Sequence, residues 1–338
     1  MPALNELLDS LLTGRDMDEA TAAGLVRELA SGEVEPVLAG ALLAALRAKG
    51  ETPGEIRGLA DGMRGLAVDP GISPDLGAVD VVGTGGDGSG SLNLSTGTAL
   101  LAAACGVPVV KHGNRSVSSR SGSADVLEAL GVSLPAGADE AAALLERSGF
   151  TFLFAPYFHP AMKAVVPVRR AMGVRTAFNI LGPLTNPASP PFLLLGAFSP
   201  DMAELMARAV AGSDVQRAWV IHGAPGWDEA TPVGEFLVFE AQGGEVIRRI
   251  RDPEEMGVPR CTAEDLAGGD AGENAARLAA VLEGREHGPH RDALVLGAAL
   301  VLELTGRSEG GRPAAAAAAA AIDDGRGAAL LERLKSGG

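Results

Sequence analysis

The chain has 338 residues, 46% of them hydrophobic, which is enough to bury a large core in one large domain or two unequal ones. Its formal net charge of −15 excludes nucleic acid as the main partner and an anionic membrane as a docking surface, because both need clustered cations. Two cysteines, Cys105 and Cys261, exclude a disulfide framework, and no apolar run reads as a membrane span or a signal peptide, so a cytoplasmic setting is expected.

Apolar residues recur at helical spacing from the start: Leu4, Leu7, Leu8, Leu11 and Leu12, then Leu25, Val26 and Leu29, then Val37, Leu38, Leu42, Leu43 and Leu46. Thr52-Pro53 predicts a cap and first turn ahead of Ile56, Leu59 and Met63, so the first 66 or so residues read as all-helical. A Pro/Gly-rich connector over 69–76 leads into the apolar run 79–82, which ends in glycines and predicts a buried strand. Helix is then predicted over 96–105, strand over 107–111, helix over 123–130 and 138–148, and strand over 151–154. This alternation predicts a mostly parallel sheet with helical layers. The pattern is helical again from 160 to 170, with strands over 192–198 and 218–222. An antiparallel hairpin is expected around Gly243-Gly244, and closing helices include the alanine run 314–321.

Three motifs follow consecutive strands. The glycines of GTGGD (83–87) can turn successive amides toward one anion, although a plain strand-to-loop turn would use the same residues. In NLST (93–96), Ser95 and Thr96 sit just before a predicted helix, where they could cap it or bind a phosphate or metal. In KHGNRS (111–116), Lys111, Asn114 and Arg115 stand where open sheets place ligands. One such motif is weak, but three at neighbouring strand ends point to a shared anion site. Only four basic residues are lysines, namely Lys49, Lys111, Lys163 and Lys335, so a lysine inside a motif stands out against the arginine background. Further on, 158–188 mixes His159, Lys163, Arg169, Arg170 and Arg175 with apolar residues. Arginine suits bidentate capture of a carboxylate, while a helix with one solvated basic face explains Lys163 and Arg170 at least as well. Asp228-Glu229 lies in a Gly/Pro-flanked loop after a strand. Such a pair can hold Mg2+ together with substrate phosphates, or simply be solvated.

These motifs, with HPAMK (159–163), PVRRAMGVRTAFNILGPLTNPA (167–188) and GGDAGENAARLAAVLEG (268–284), resemble the anthranilate phosphoribosyltransferase family over nearly the whole chain. The resemblance implies an α/β fold in which a small all-helical domain is hinged to a larger domain with a mostly parallel central sheet flanked by helices. The small domain spans 1–70 joined by part of 169–190, and the large one spans 75–338. The resemblance implies that Gly83, Gly86, Asp87, Asn93, Ser95, Thr96, Lys111 and Ser118 hold phosphoribosyl pyrophosphate (PRPP). Ser95, Asp228 and Glu229 would hold Mg2+. Gly83, Asn114 and Arg169 would face anthranilate, with His112 and His159 along its approach path, and Lys111, Asn114 and Arg169 would carry the chemistry. It further implies a homodimer and allows an anthranilate synthase amidotransferase as partner. Arg120 and Gly297 depart from the family pattern, which often has Lys and Asn there. A pyrimidine nucleoside phosphorylase and a non-enzymatic nucleic-acid binder are the two rivals. The KHGN motif with the Asp-Glu pair opposes the first, and the acidic charge opposes the second.

Overall fold

The computed structural model describes residues 2–116 and 120–336. Four helices come first: α1 (Leu4–Leu12), α2 (Glu19–Ser31), α3 (Pro36–Lys49) and α4 (Pro53–Arg64). Thr52 caps α4 as its sequence predicts, in a reciprocal capping box with Glu55. Gly58 and Gly62 let α4 lie directly on α2, since a Cβ on either would meet backbone atoms of Glu19 or Ala23 within 3 Å.

Glu55 is fully buried, and it does more than cap. Its Oε1 accepts from the Met17 N–H at 2.9 Å, and its Oε2 pairs with Lys49 Nζ at 2.8 Å. Lys49 in turn reaches Asp16 at 2.7 Å, so one buried carboxylate ties together α3, α4 and the turn before α2. Removing Glu55 leaves the buried Lys49 ammonium with only the exposed Asp16 carboxylate and leaves the Met17 N–H without its acceptor. Glu55→Ala is therefore expected to cost about 3–5 kcal/mol of unfolding free energy, read by urea denaturation. A loss below about 1 kcal/mol, the range of an exposed pair, would contradict this account.

The rest of the chain runs β1 (Val79–Gly83), α5 (Leu94–Ala104), β2 (Val109–Gly113), α6 (Ser123–Ala129), α7 (Ala138–Ser148), β3 (Phe150–Phe154) and α8 (Ala155–Phe158). The segment predicted to be helical to 170 is a 3-10 stretch, Pro160–Ala164, followed by α9 (Val166–Met172). Then come α10 (Phe178–Leu181), β4 (Phe192–Gly196), α11 (Pro200–Ala211), β5 (Arg217–His222), β6 (Phe236–Gln242) and β7 (Glu245–Arg251). Four helices close the chain: α12 (Ala271–Leu282), α13 (Pro289–Leu304), α14 (Gly311–Asp323), which contains the alanine run, and α15 (Arg326–Lys335).

The strands form one seven-stranded sheet, ordered β3-β2-β1-β4-β5-β6-β7. The first five are mutually parallel and the expected hairpin β6-β7 is antiparallel. Alternation along the strands sends Val79, Val81 and Leu194 to one face, against α5 and the C-terminal helices. Leu193, Leu195 and Val220 go to the other face, in a core shared with α11, with Phe178 and Leu181 of the mid-chain segment, and with α1–α4. Gly297 marks a close helix crossing, because a Cβ there would lie 2.1 Å from Thr98 Oγ1 on α5.

Candidate active site

Strand order reverses between β1 and β4. The chain leaves β1 for α5 on one face and β4 for α11 on the other, which opens a crevice at the carboxyl ends of these strands. Gly83 and Gly196 are register partners at that end. A Cβ on Gly83 would lie 2.2 Å from Asp228 Oδ2, and one on Gly196 would lie 1.5 Å from the Asp228 carbonyl oxygen. A Cβ on Gly223 would lie 1.8 Å from the Glu229 carbonyl oxygen. Three glycines thus form a seat into which the Asp228-Glu229 backbone drops, and a side chain at any of them would unseat it.

Asp228 Oδ2 accepts from the Gly85 N–H at 2.6 Å, and Glu229 Oε1 accepts from the Ser95 N–H at 2.8 Å in the first turn of α5. The Asp228 N–H donates to Asp87 Oδ2 at 3.3 Å. Burial, with the Asp87 charge second, pushes the Asp228 carboxyl up to about 7. Burial, with Asp228 second, drives Glu229 well above the usual carboxylate range. These are carboxylates in want of a cation. Among the described residues no three His, Cys, Asp or Glu side chains converge as a complete metal cage. Two adjacent carboxylates, one of them accepting from the Ser95 N–H, fit Mg2+, a hard ion that prefers oxygen donors and keeps open positions for phosphate oxygens and water.

Lys111 lies in β2 rather than at its end and is 1% exposed. Its ammonium runs under β1 to the Val81 carbonyl and stands 3.5 Å from Ser95 Oγ. Burial lowers its pKa, while Asp80, Glu229 and Asp228 oppose that shift. Asp80, which the apolar reading of β1 passed over, is fully buried and pushed up to about 6 by burial. Asn186 donates to it at 2.8 Å and the His112 N–H donates to it at 3.1 Å.

A cavity of about 580 Å3 opens above this floor. Gly83, Gly86, Asn93, Ser95, Thr96, Lys111, His112, Asn114, His159 and Arg169 all line it. Asp228 and Glu229 line a small pocket that shares Gly83 and Ser95 with it. Ser118 lies outside the described residues. Arg169 is half-buried on α9, with its guanidinium 5.5 Å from the centre of the Phe178 ring. Exposed Lys163 is at the cavity edge, whereas Arg170 is exposed and does not line the cavity. Arg175, given no role by the motifs, lies 4.1 Å over the Phe198 ring and donates to the Gly86 carbonyl.

Three expectations change. Ser95 and Thr96 do not precede α5 but form its first turn, and Asn93 at the cap position makes no capping bond with its side chain. Arg115 also lines the cavity, but it is no free cation, because it pairs with Asp125 at 2.9 Å and with Glu128 at 2.5 Å. His112 and His159, both 4% exposed, form the cavity wall rather than an approach path. Each ring donates to a backbone carbonyl, His112 Nδ1 to Gly182 at 3.2 Å and His159 Nε2 to Thr185 at 2.9 Å, which sets its tautomer. Burial pushes His112 down to about 3 and lowers His159, so both rings are neutral at neutral pH.

Residues 5–67 match the helical bundle domain of a glycosyl transferase family, and residues 75–328 match the a/b domain of such a family. The chain is 46% identical to an anthranilate phosphoribosyltransferase of Rhodospirillum rubrum, covering 97% of this chain and 94% of that protein. It is 44% identical to one of Rhodopseudomonas palustris, covering 97% and 96%. The crystal structure of the enzyme from Thermus thermophilus superposes with a TM-score of 0.91 at 43% identity, over 98% of both chains. The Saccharomyces cerevisiae enzyme, solved in complex with PRPP and Mg, superposes at 0.81 with 26% identity, over 99% of this chain and 93% of that one. On full-length identity, matched domains and the strand-end crevice together, this chain belongs to the anthranilate phosphoribosyltransferase family.

Proposed function

We infer that this chain transfers the phosphoribosyl group of PRPP to the amine of anthranilate, giving N-(5-phosphoribosyl)anthranilate and pyrophosphate, a step of tryptophan biosynthesis. The observation that carries this reading is one cavity whose floor, Gly83 and Ser95, adjoins the buried Asp228-Glu229 pair and whose wall includes Arg169. Gly83, Gly86, Asp87, Asn93, Ser95, Thr96, Lys111 and Ser118 hold PRPP. Ser95, Asp228 and Glu229 hold Mg2+, which supplies positive charge against the departing diphosphate.

The amine nitrogen forms the new bond to ribose C1 as the C1–O bond breaks, its electron pair leaving with pyrophosphate and the amine proton passing to solvent. The transition state has oxocarbenium character, as in other glycosyl transfers. Lys111 and the glycine-loop amides stabilise the negative charge on the leaving group. Arg169 takes the anthranilate carboxylate, Gly83 and Asn114 border the ring, and the neutral His112 and His159 add no positive charge beside a cationic carbon. An aryl amine is a neutral nucleophile at pH 7, so positioning carries most of the rate.

Residues 1–70, joined by part of 169–190, move against 75–338. α9 packs on α3 and α10 on α4, while Arg175 reaches the glycine loop, which supports closure of the mid-chain segment over the cavity. Leu12, Val37, Val166 and Val174 are 46–86% exposed on or beside α1, α3 and α9, and exposed apolar side chains on these helices support a homodimer. No separate surface is assigned to an anthranilate synthase amidotransferase. Sedimentation equilibrium that finds only monomer would overturn the dimer. The two free cysteines support a cytoplasmic setting.

Loss of anthranilate fluorescence on mixing the protein with anthranilate, PRPP and Mg2+ tests the reaction, and no consumption by folded protein refutes it. In the same assay Arg169→Ala is expected to raise the KM for anthranilate by roughly 10- to 100-fold, with the KM for PRPP changed far less.

A further inference from the structure

The C-terminal segment reaches the cavity by a route the mechanism above leaves unused. Asn274, near the start of α12, is 3% exposed. The Gly269 N–H donates to its Oδ1 at 2.6 Å, and its Nδ2 donates to Asn93 Oδ1 at 2.8 Å. Asn93 Nδ2 then donates to the Ser121 carbonyl at 3.2 Å.

The two ends of this relay are backbone groups of fixed polarity, since an N–H only donates and a carbonyl only accepts. Each amide between them therefore has a single orientation that makes all three bonds, and flipping either one sets two donors or two acceptors against each other. Asn93 stands where an asparagine ordinarily caps a helix, yet its side chain makes no capping bond to α5. The frame around the relay is rigid. The Leu92 N–H donates to the Leu266 carbonyl at 3.0 Å and the Gly268 N–H to Gly90 at 2.8 Å. A Cβ on Gly268 would meet the Ser91 carbonyl at 2.4 Å, and a capping box between Asp270 and Glu273 sets the start of α12.

We propose that Asn274 is a positioning residue for PRPP. Through Asn93 it ties the turn entering α5 directly to the Ser121 backbone, and both Asn93 and Ser121 line that cavity. This rests on the reading that Asn93 holds PRPP.

Asn274→Asp keeps the size and still accepts from Gly269, but it faces Asn93 Oδ1 with a carboxylate. Whichever way Asn93 turns, one bond is lost. Asn274→Ser is too short to reach. Both variants are expected to raise the KM for PRPP about tenfold while the KM for anthranilate moves less than about threefold. Val281→Ala, a buried site on the same helix, should lower the unfolding temperature and leave both KM values alone. If the Asn274 variants behave like Val281→Ala, or raise both KM values equally, Asn274 is merely structural and the proposal falls. Asn93→Ala, assayed in parallel, separates the premise from the relay. An unchanged KM for PRPP in Asn93→Ala removes the premise and the proposal with it. A raised KM in Asn93→Ala with unchanged values in both Asn274 variants refutes the relay alone.

Discussion

Asp228→Asn is expected to lower kcat by on the order of 10² to 10³ at saturating Mg2+ while leaving the protein as stable as the parent or more so. The substitution removes charge and little else, because the asparagine carbonyl still accepts from the Gly85 N–H that now bonds Asp228 Oδ2. Burial is the largest cause of the raised pKa of Asp228, and the Asp87 carboxylate adds to it, so the ionised form destabilises the metal-free fold. Glu229→Gln should behave alike, since its side chain can still accept from the Ser95 N–H. The same argument predicts that Mg2+ with PRPP raises the unfolding temperature of the parent far more than that of Asp228→Asn. Full activity of Asp228→Asn across a Mg2+ titration would remove Asp228 from the metal site.

Gly196→Ala should be almost as damaging, although no atom of Gly196 is assigned to a substrate. Its new methyl would lie 1.5 Å from the Asp228 carbonyl oxygen and 2.6 Å from the adjoining carbon. Both are backbone, so no rotamer change relieves the overlap and the acidic loop must leave its seat. A displacement of about 1 Å at a reacting centre can cost about 10² in rate, and overpacking costs about 1–3 kcal/mol of stability. The expected result is a kcat lowered at least about a hundredfold, with a weakened Mg2+ dependence. Gly137→Ala is the control. That backbone is extended and nothing lies within 4 Å of the added carbon, so activity and stability should be unchanged. Parent-like kinetics in Gly196→Ala would mean that the glycine seat does not set the acidic pair.

Much of the site was legible because its parts are contiguous in the chain. The helical start, the strand-loop-helix rhythm and the GTGGD, NLST and KHGNRS motifs each declare themselves within a few residues, through periodicity or backbone freedom. Ten of the residues to which the family resemblance gives a role line one cavity. The errors share one cause, which is that a side chain's partner is a neighbour in space. Arg115 looks like an anion-binding cation until α6 brings Asp125 and Glu128 onto it. His112 and His159 look like approach-path residues until the mid-chain segment buries them against the Gly182 and Thr185 carbonyls.

By itself the sequence determined most of the order of helices and strands, the family, and which residues to propose for a sugar diphosphate and a carboxylate. Tertiary structure alone decided which glycines are there for close approach, why Asp80 and Lys111 can share an interior, and that a C-terminal asparagine reaches the N-terminus of α5. The physical reason is that periodicity and turn chemistry report a residue's own backbone. Burial, pKa and hydrogen-bond polarity are set by the groups that the parallel sheet's crossovers bring alongside it.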